Sequence, residues 1–249
     1  MEKTAPVRRR RRQPRTLKPL RYALAAAAML LALNTFFKIS NIQVAGNVLY
    51  STGEVLSAAG LRSGRSALLL RPAPAETSIL RSLPCVSGVR VRLRLPDTVV
   101  IQVEESPAVA SLAYDGQLLL LNRACKVVGT GDAAAAAGLI ELSGLAPLSG
   151  EVGARLSLGE TDSGKLDYLT ALLGLLAEKD MLPSVTALDI SNAADLRFQY
   201  EGRFSIRLGG QDNLSYKLDF LRSIAADLAG GETGTIDLSK DQEGHYIPT

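Results

Sequence analysis

The sequence predicts an α+β protein in which one membrane-spanning helix precedes two compact units of mixed strands and helices. Three observations lead to this prediction. An uncharged run, YALAAAAMLLALNTFF, occupies residues 22–37. Alternation of apolar and polar residues, typical of half-buried strands, recurs through the remainder of the chain. Two leucine-rich segments instead repeat their apolar residues every three or four positions, as amphipathic helices do.

The uncharged run is flanked by Arg21 and Lys38 and is predicted to be an uncleaved transmembrane helix. Its length covers roughly 24 Å of a hydrocarbon core of about 30 Å, so flanking side chains must snorkel to close the gap. A cleaved signal peptide is the alternative. The run ends in NTFF, however, which is a poor cleavage site.

Positive charge is concentrated at the N-terminus. Residues 1–21 hold nine Lys or Arg and one Glu, so the rest of a chain of net charge +3 carries −5. The positive-inside rule places this tail in the cytoplasm and the body outside. Nucleic-acid or anionic-lipid contact by the arginines is the alternative, but topology explains the run, and an acidic body does not indicate nucleic-acid binding. The residues predicted to set the topology are Arg8, Arg9, Arg10, Arg11, Arg12, Arg21 and Lys38.

The first compact unit reads as strand, helix, helix, strand, strand. ISNIQVAGN at 39–47 predicts a strand. Ser51 and Glu54 form a capping box that begins a helix, and Gly60 ends it. A second helix is predicted over residues 75–83. VRVRLRLPDTVVIQVE at 89–104 alternates on both sides of a Pro-Asp turn and predicts a hairpin with one apolar face.

The second unit is predicted to mix strands with two helices. A hairpin turn falls at Asp115-Gly116, and a helix is expected over 166–182. Three strands at about 185–190, 195–200 and 203–208 precede a second helix that begins near residue 213. The last predicted strand, Thr235 to Ser239, is expected at the edge of its sheet with only a short polar tail after it. An edge strand shows unpaired backbone N–H and C=O groups that invite a partner.

Two sets of motifs resemble the FtsQ/DivIB family of bacterial cell-division proteins. IQVAGN at 42–47 and LPCVSGVRVRLRLPDTVVIQVEESPAVA at 83–110, after a single span, resemble that family's POTRA domain. SNAADLRFQYEGRFSIRLGGQDNLSYKLDFL and GTIDLS resemble its C-terminal β-domain. The chain departs from the family pattern at Glu105-Ser106, where a basic residue is common. The resemblance implies a basic tail at 1–21, an anchor at 22–38, a POTRA domain (β-α-α-β-β) at 39–110 and a mixed β-sheet domain with helices at 111–249.

The resemblance also implies a function, that of a bitopic divisome scaffold linking early and late septum proteins. Its implied place is the cytoplasmic membrane at the division septum, single-pass, with the N-terminus in the cytoplasm. The implied partners are FtsB/DivIC-type and FtsL-type division proteins and, indirectly, the septal peptidoglycan synthase. A membrane-anchored POTRA chaperone or transport module is the alternative. Strand addition is implied for Thr235, Ile236, Asp237, Leu238 and Ser239, with Lys240 and Tyr246 nearby, and Lys217 and Arg222 are candidate charges for an acidic partner.

No catalytic, metal or cofactor site is predicted. His245 is the only histidine, and Cys85 and Cys125 follow no metal-ligand spacing. The cysteines are read as small buried side chains, with a disulfide as the alternative. Glu104 and Glu105 are adjacent, so on a strand they point to opposite faces and are expected to be solvated.

Overall fold

A computed structural model describes residues 17–67, 70–240 and 244–248 of the chain. The run Arg8 to Arg12 lies outside these residues, so its role in topology stays a prediction. Helix α1 (Leu17–Phe36) contains almost all of the predicted span. Over the part of the chain that the structure describes, no helix is both long enough and apolar enough to cross a membrane, so the predicted transmembrane helix is not confirmed.

The first unit has the predicted order of elements. Its sheet runs β1-β3-β2, with β1 parallel and β2 antiparallel to the central β3. Both helices cover one face of this sheet, and their apolar side chains share one core with it. The elements are β1 (Asn41–Ala45), α2 (Thr52–Ala59), α3 (Pro72–Ser82), β2 (Val86–Arg94) and β3 (Thr98–Glu105).

Local chemistry sets the helix ends in this unit. The predicted capping box is confirmed: the Ser51 hydroxyl accepts from the Glu54 N–H at 3.3 Å, and the Glu54 carboxylate accepts from the Ser51 N–H at 2.8 Å. Gly60 ends α2 with a left-handed φ of 62°. Helix α3 begins at Pro72, three residues before the predicted start, because proline suits a first turn in which the N–H has no helical partner.

The second unit is built on a nine-stranded mixed sheet, ordered β14-β13-β12-β11-β10-β7-β4-β5-β6. The short strand β7 pairs in parallel with both β4 and β10. Its strands are β4 (Ala108–Tyr114), β5 (Gln117–Asn122), β6 (Val127–Gly131), β7 (Ile140–Ser143), β10 (Val185–Asp189), β11 (Leu196–Tyr200), β12 (Phe204–Gly209), β13 (Gly234–Asp237) and β14 (His245–Pro248). Two short strands, β8 (Pro147–Ser149) and β9 (Ser157–Leu158), form a separate ladder. The helices are α4 (Ser163–Glu178) and α5 (Leu214–Asp227).

The nine-stranded sheet is covered by α4 and α5 on one face only. Leu142, Leu188, Phe198 and Ile206 are successive partners across the strands and are buried with the leucines of both helices. The alternate residues on the other face are mostly polar and at least partly exposed. We call this second surface the open face of the sheet. The predicted mixed β-sheet domain with helices therefore has its helices on a single side.

Three local predictions differ from the structure. Glu105 is more than a solvated side chain at the end of the hairpin, because its partly exposed carboxylate accepts hydrogen bonds from the backbone N–H groups of residues 48–50. Helix α4 ends at Glu178 rather than near 182, since Asp180 takes a left-handed φ of 56°. Cys85 and Cys125 are free thiols, so the alternative of a disulfide between them is wrong.

Candidate functional site

The candidate site is the outer edge of the C-terminal hairpin, formed by β13 and β14. Gly234 donates its N–H to Arg203 O at 3.3 Å, and Leu238 donates to Arg207 O at 2.8 Å, both toward β12. Because the direction of the backbone N–H alternates along a strand, the backbone groups of Thr235 and Asp237 point toward β14. The prediction that Thr235 to Ser239 forms the edge strand is therefore wrong, since β14 pairs along its outer side.

Among the described residues, β14 is the outermost strand on this side of the sheet. Thr235 is opposite Ile247, and Asp237 is opposite His245, so these two β14 residues direct their backbone groups inward. The N–H and C=O of Tyr246 and the carbonyl of Pro248 then point away from the sheet. The Ile247 side chain lies beside Thr235 on the open face and is 56% exposed. This edge is short, but it offers the donor and acceptor pattern that an added strand needs.

Tyr246 holds β14 against the sheet. Its ring packs edge-on against Phe204, with 6.2 Å between the ring centroids, and its hydroxyl donates to Thr233 O at 3.0 Å. Tyr246, which the resemblance placed near the partner-binding strand, is therefore a packing residue of the sheet. Gly234 lets β14 lie this close to β13, because a Cβ at position 234 would clash with Ile247 O.

The side chains of β13 divide between the two faces of the sheet. Ile236 is fully buried, and Leu238 lies in the same core. Asp237 lies on the open face and accepts from the Ser239 N–H at 2.9 Å and the Ser239 hydroxyl at 2.6 Å. It also pairs with Arg207 at 3.2 Å. Partial burial acts to raise the pKa of Asp237, but these hydrogen bonds and the guanidinium outweigh it and lower the pKa.

Arg207 extends this arrangement across the open face. Its Nε donates to Asp195 Oδ1 at 2.5 Å, and Arg197 Nη2 donates to Asp195 Oδ2 at 2.7 Å. The hydrogen bond from Arg207 is the main cause of the lowered pKa of Asp195. The charges of Asp195, Arg197, Arg207 and Asp237 are thus paired with one another. Consequently they favour directional polar contacts over attraction of a highly charged partner.

The two basic residues of α5 that were predicted to face an acidic partner differ in their exposure to solvent. Lys217 is only 4% exposed, and its ammonium donates to Leu208 O at 3.0 Å and Gly210 O at 3.2 Å. Its predicted availability to a partner is wrong, because the charge satisfies carbonyls at the end of β12. Arg222 keeps a side chain that is 61% exposed, with Asp219 at 3.9 Å.

Two comparisons with known proteins show what the chain resembles. Residues 37–106 match the sequence profile described as POTRA domain, FtsQ-type. The chain is also 22% identical over 184 residues to the cell division protein DivIB of Clostridium acetobutylicum, which covers 74% of this chain and 72% of that protein. These two similarities support the FtsQ/DivIB family. The first unit is a POTRA domain, we refer to the second unit as the β-domain, and the similarity to DivIB points to bacterial cell division.

The predicted partner residues lie on one hairpin, but they are not equally accessible. Thr235 and the exposed Lys240 are accessible, whereas Ile236 and Leu238 serve the core. No strand was predicted at 245–248, because four residues containing one histidine and one proline do not show a clear alternation. Among the described residues, no group of three or more His, Cys, Asp or Glu is placed to hold a metal ion.

Proposed function

We propose that the chain is a membrane-anchored, non-catalytic scaffold of the bacterial divisome that binds its partners by strand addition to β14. The partners are FtsB/DivIC-type and FtsL-type division proteins, through which the septal peptidoglycan synthase is reached indirectly. Similarity to an FtsQ-type POTRA domain and to DivIB supports the cell-division role. The outward backbone groups of Tyr246 are the observation that carries the choice of edge.

The short edge limits what strand addition can contribute. Tyr246 supplies two backbone hydrogen bonds and Pro248 one, each with a net value of about 0.5–1.5 kcal/mol. Covering the exposed part of Ile247 adds about 1–2 kcal/mol, because full burial of such a side chain contributes about 1.5–3 kcal/mol. The sum falls short of the roughly 8 kcal/mol that a micromolar complex needs. Neighbouring side chains and confinement to one membrane must therefore add to the affinity.

The predicted contact residues take different parts in this proposal. Thr235 lies beside Ile247 on the open face, one strand in from the added strand, and contacts partner side chains that extend over that face. Lys240 is exposed just beyond β13 and contacts the partner outside the ladder. Asp237 acts instead through Ser239 and Arg207, with which it fixes the end of β13.

The anchor in this proposal is α1 together with Lys38, with the N-terminus in the cytoplasm. The full chain should stay with the membrane fraction through alkaline carbonate washing, and deletion of residues 17–36 should release it. A full chain that washes off would contradict the anchored scaffold.

Two substitutions at one position test strand addition. Tyr246→Ala and Tyr246→Pro both remove the ring, but only proline also removes the outward N–H. Co-purification of the full chain with FtsB/DivIC-type and FtsL-type proteins should show binding at least tenfold weaker for Tyr246→Pro than for Tyr246→Ala. Hydrogen exchange in β12 controls for folding. Equal binding by the two variants, with β12 equally protected, would rule out the β14 ladder.

A further inference from the structure

The POTRA domain follows α1 without a flexible linker. Helix α1 ends at Phe36, the next residue already packs against the POTRA core, and Ile39 is 1% exposed. Backbone hydrogen bonds hold a second segment at this junction. Ala67 donates to Phe37 O at 2.7 Å, Ile39 donates to Arg65 O at 2.8 Å, and Gly64 donates to Ile39 O at 2.8 Å. The loop before α3 therefore lies beside the end of α1.

This loop is basic and has no acidic counterpart in sequence. Arg62, Arg65 and Arg71 fall between residues 61 and 71, a stretch without Asp or Glu, and Lys38 lies opposite Ser66. Within residues 17–67, 70–240 and 244–248, the side chains of these three arginines make no ion pair. In the β-domain, by contrast, five of six arginines are paired with a carboxylate. The loop thus concentrates uncompensated positive charge next to α1.

A cavity of about 440 Å³ opens at the same place. Ile39 and Leu61 contribute apolar lining, and Leu70 extends it. The exposed Arg65 and Arg71 also line the cavity. An apolar lining next to two guanidinium groups matches a ligand that joins a phosphate to hydrocarbon. Arginine is well suited to the phosphate because its donors are fixed in a planar fork.

We propose that this cavity binds the phosphate of an anionic phospholipid in the leaflet from which α1 emerges. The proposal rests on the proposed membrane anchor, which brings the cavity to the lipid surface. The charge distribution of the chain also favours an orientation in which the POTRA domain lies at the lipid surface. Residues 39–110 hold seven arginines against five acidic residues, whereas residues 111–249 hold eleven basic against nineteen acidic residues. An anionic surface therefore attracts the POTRA domain and repels the β-domain, and β14 is kept away from the bilayer.

Hydrogen exchange of the full chain in lipid nanodiscs tests the site. The amides of Gly64 and Ala67 report on the loop, because their hydrogen bonds tie it to the residues after α1. Their protection should rise about tenfold when phosphatidylglycerol is added to phosphatidylcholine discs, as expected for a few arginines held near an anionic surface. A triple variant, Arg62→Gln with Arg65→Gln and Arg71→Gln, should lose this dependence on lipid.

A matched control lies on the same domain. Arg90, Arg92 and Arg94 alternate with the buried Val91 on β2 and so project from the sheet face opposite the helices and the cavity. Changing these three to glutamine removes the same charge and should leave the lipid dependence in place. If the control triple abolishes the dependence as well, the effect is one of overall charge and the cavity is not the site.

The remaining outcomes separate the inference from the anchor. A chain that no disc composition retains overturns the anchor and the inference together. A chain that is retained, but protects Gly64 and Ala67 equally in both lipid mixtures, overturns the inference alone. Equal protection by soluble glycerol phosphate added to phosphatidylcholine discs would show a general phosphate site and overturn the assignment to lipid.

Discussion

Glu105 is expected to keep the segment between β1 and α2 in its ordered conformation. Its Oε2 accepts the N–H groups of Val48 and Leu49 at 2.9 and 2.6 Å, and its Oε1 accepts that of Tyr50 at 3.1 Å. Glu105→Gln replaces one oxygen with an amide nitrogen that cannot accept, and it removes the charge from the remaining bonds. A hydrogen bond to a charged group contributes about 1.5–3 kcal/mol. Water reaches this half-buried carboxylate and recovers part of the loss, so we expect a cost of about 2 kcal/mol.

Such a cost corresponds to an increase of about 30-fold in local opening, since about 1.36 kcal/mol is a factor of ten. Hydrogen exchange should show this loss of protection at residues 48–50 in Glu105→Gln. Glu104→Gln makes the same charge change at an exposed neighbour and should leave these amides unchanged. Unaltered protection in Glu105→Gln, or an equal loss in Glu104→Gln, would refute the reasoning.

The same carboxylate gives the segment a dependence on pH. Burial acts to raise the pKa of Glu105, but the three backbone donors outweigh it and lower the pKa. A group whose pKa is depressed on folding stabilises the fold fully above its unfolded value, about 4.3 for Glu. That stabilisation is lost as the pH falls through the depressed value. Protection factors at 48–50, corrected for intrinsic exchange, should therefore decline only below about pH 4.

Three further outcomes are expected in the β-domain. Ile236→Ala should lower the free energy of unfolding by about 2–5 kcal/mol, measured by urea denaturation, because the removed side chain is fully buried. Lys217→Met should cost about 2 kcal/mol in the same assay, because two carbonyls lose their donor, whereas Arg222→Gln should change it by less than about 0.5 kcal/mol. Arg207→Gln should raise the pKa of Asp237, followed by NMR titration, because the carboxylate loses its cationic partner.

Strong local signals in the sequence predicted most elements correctly. Ser51, Glu54 and Gly60 define α2 by chemistry that acts within one helix. The hairpin of β2 and β3 was predictable because its apolar residues alternate on both sides of one turn. In such segments the residues that determine the structure are neighbours in sequence.

The errors occur where distant residues decide the outcome. Lys217 lies among apolar residues of α5, but its burial depends on carbonyls presented by β12. Glu105 finds its donors more than fifty residues away, in a segment with no periodic signal. The edge position of β14 follows from pairing with β13, and a four-residue strand carries too little pattern to reveal it. The sequence could thus indicate the region of the candidate site but not which strand forms its outer edge.

The position of β7 has a consequence for the order in which the chain folds. Strands β4 to β6 and strands β10 to β14 form the two sides of the large sheet, and β7 alone joins them. The POTRA core closes within the first half of the chain, so it can form while the rest is still being synthesised. The β-domain cannot close this way, because β7 must await β10, more than forty residues later. A ribosome stalled between them would leave a folded POTRA domain beside a half-sheet whose growing edge is β7.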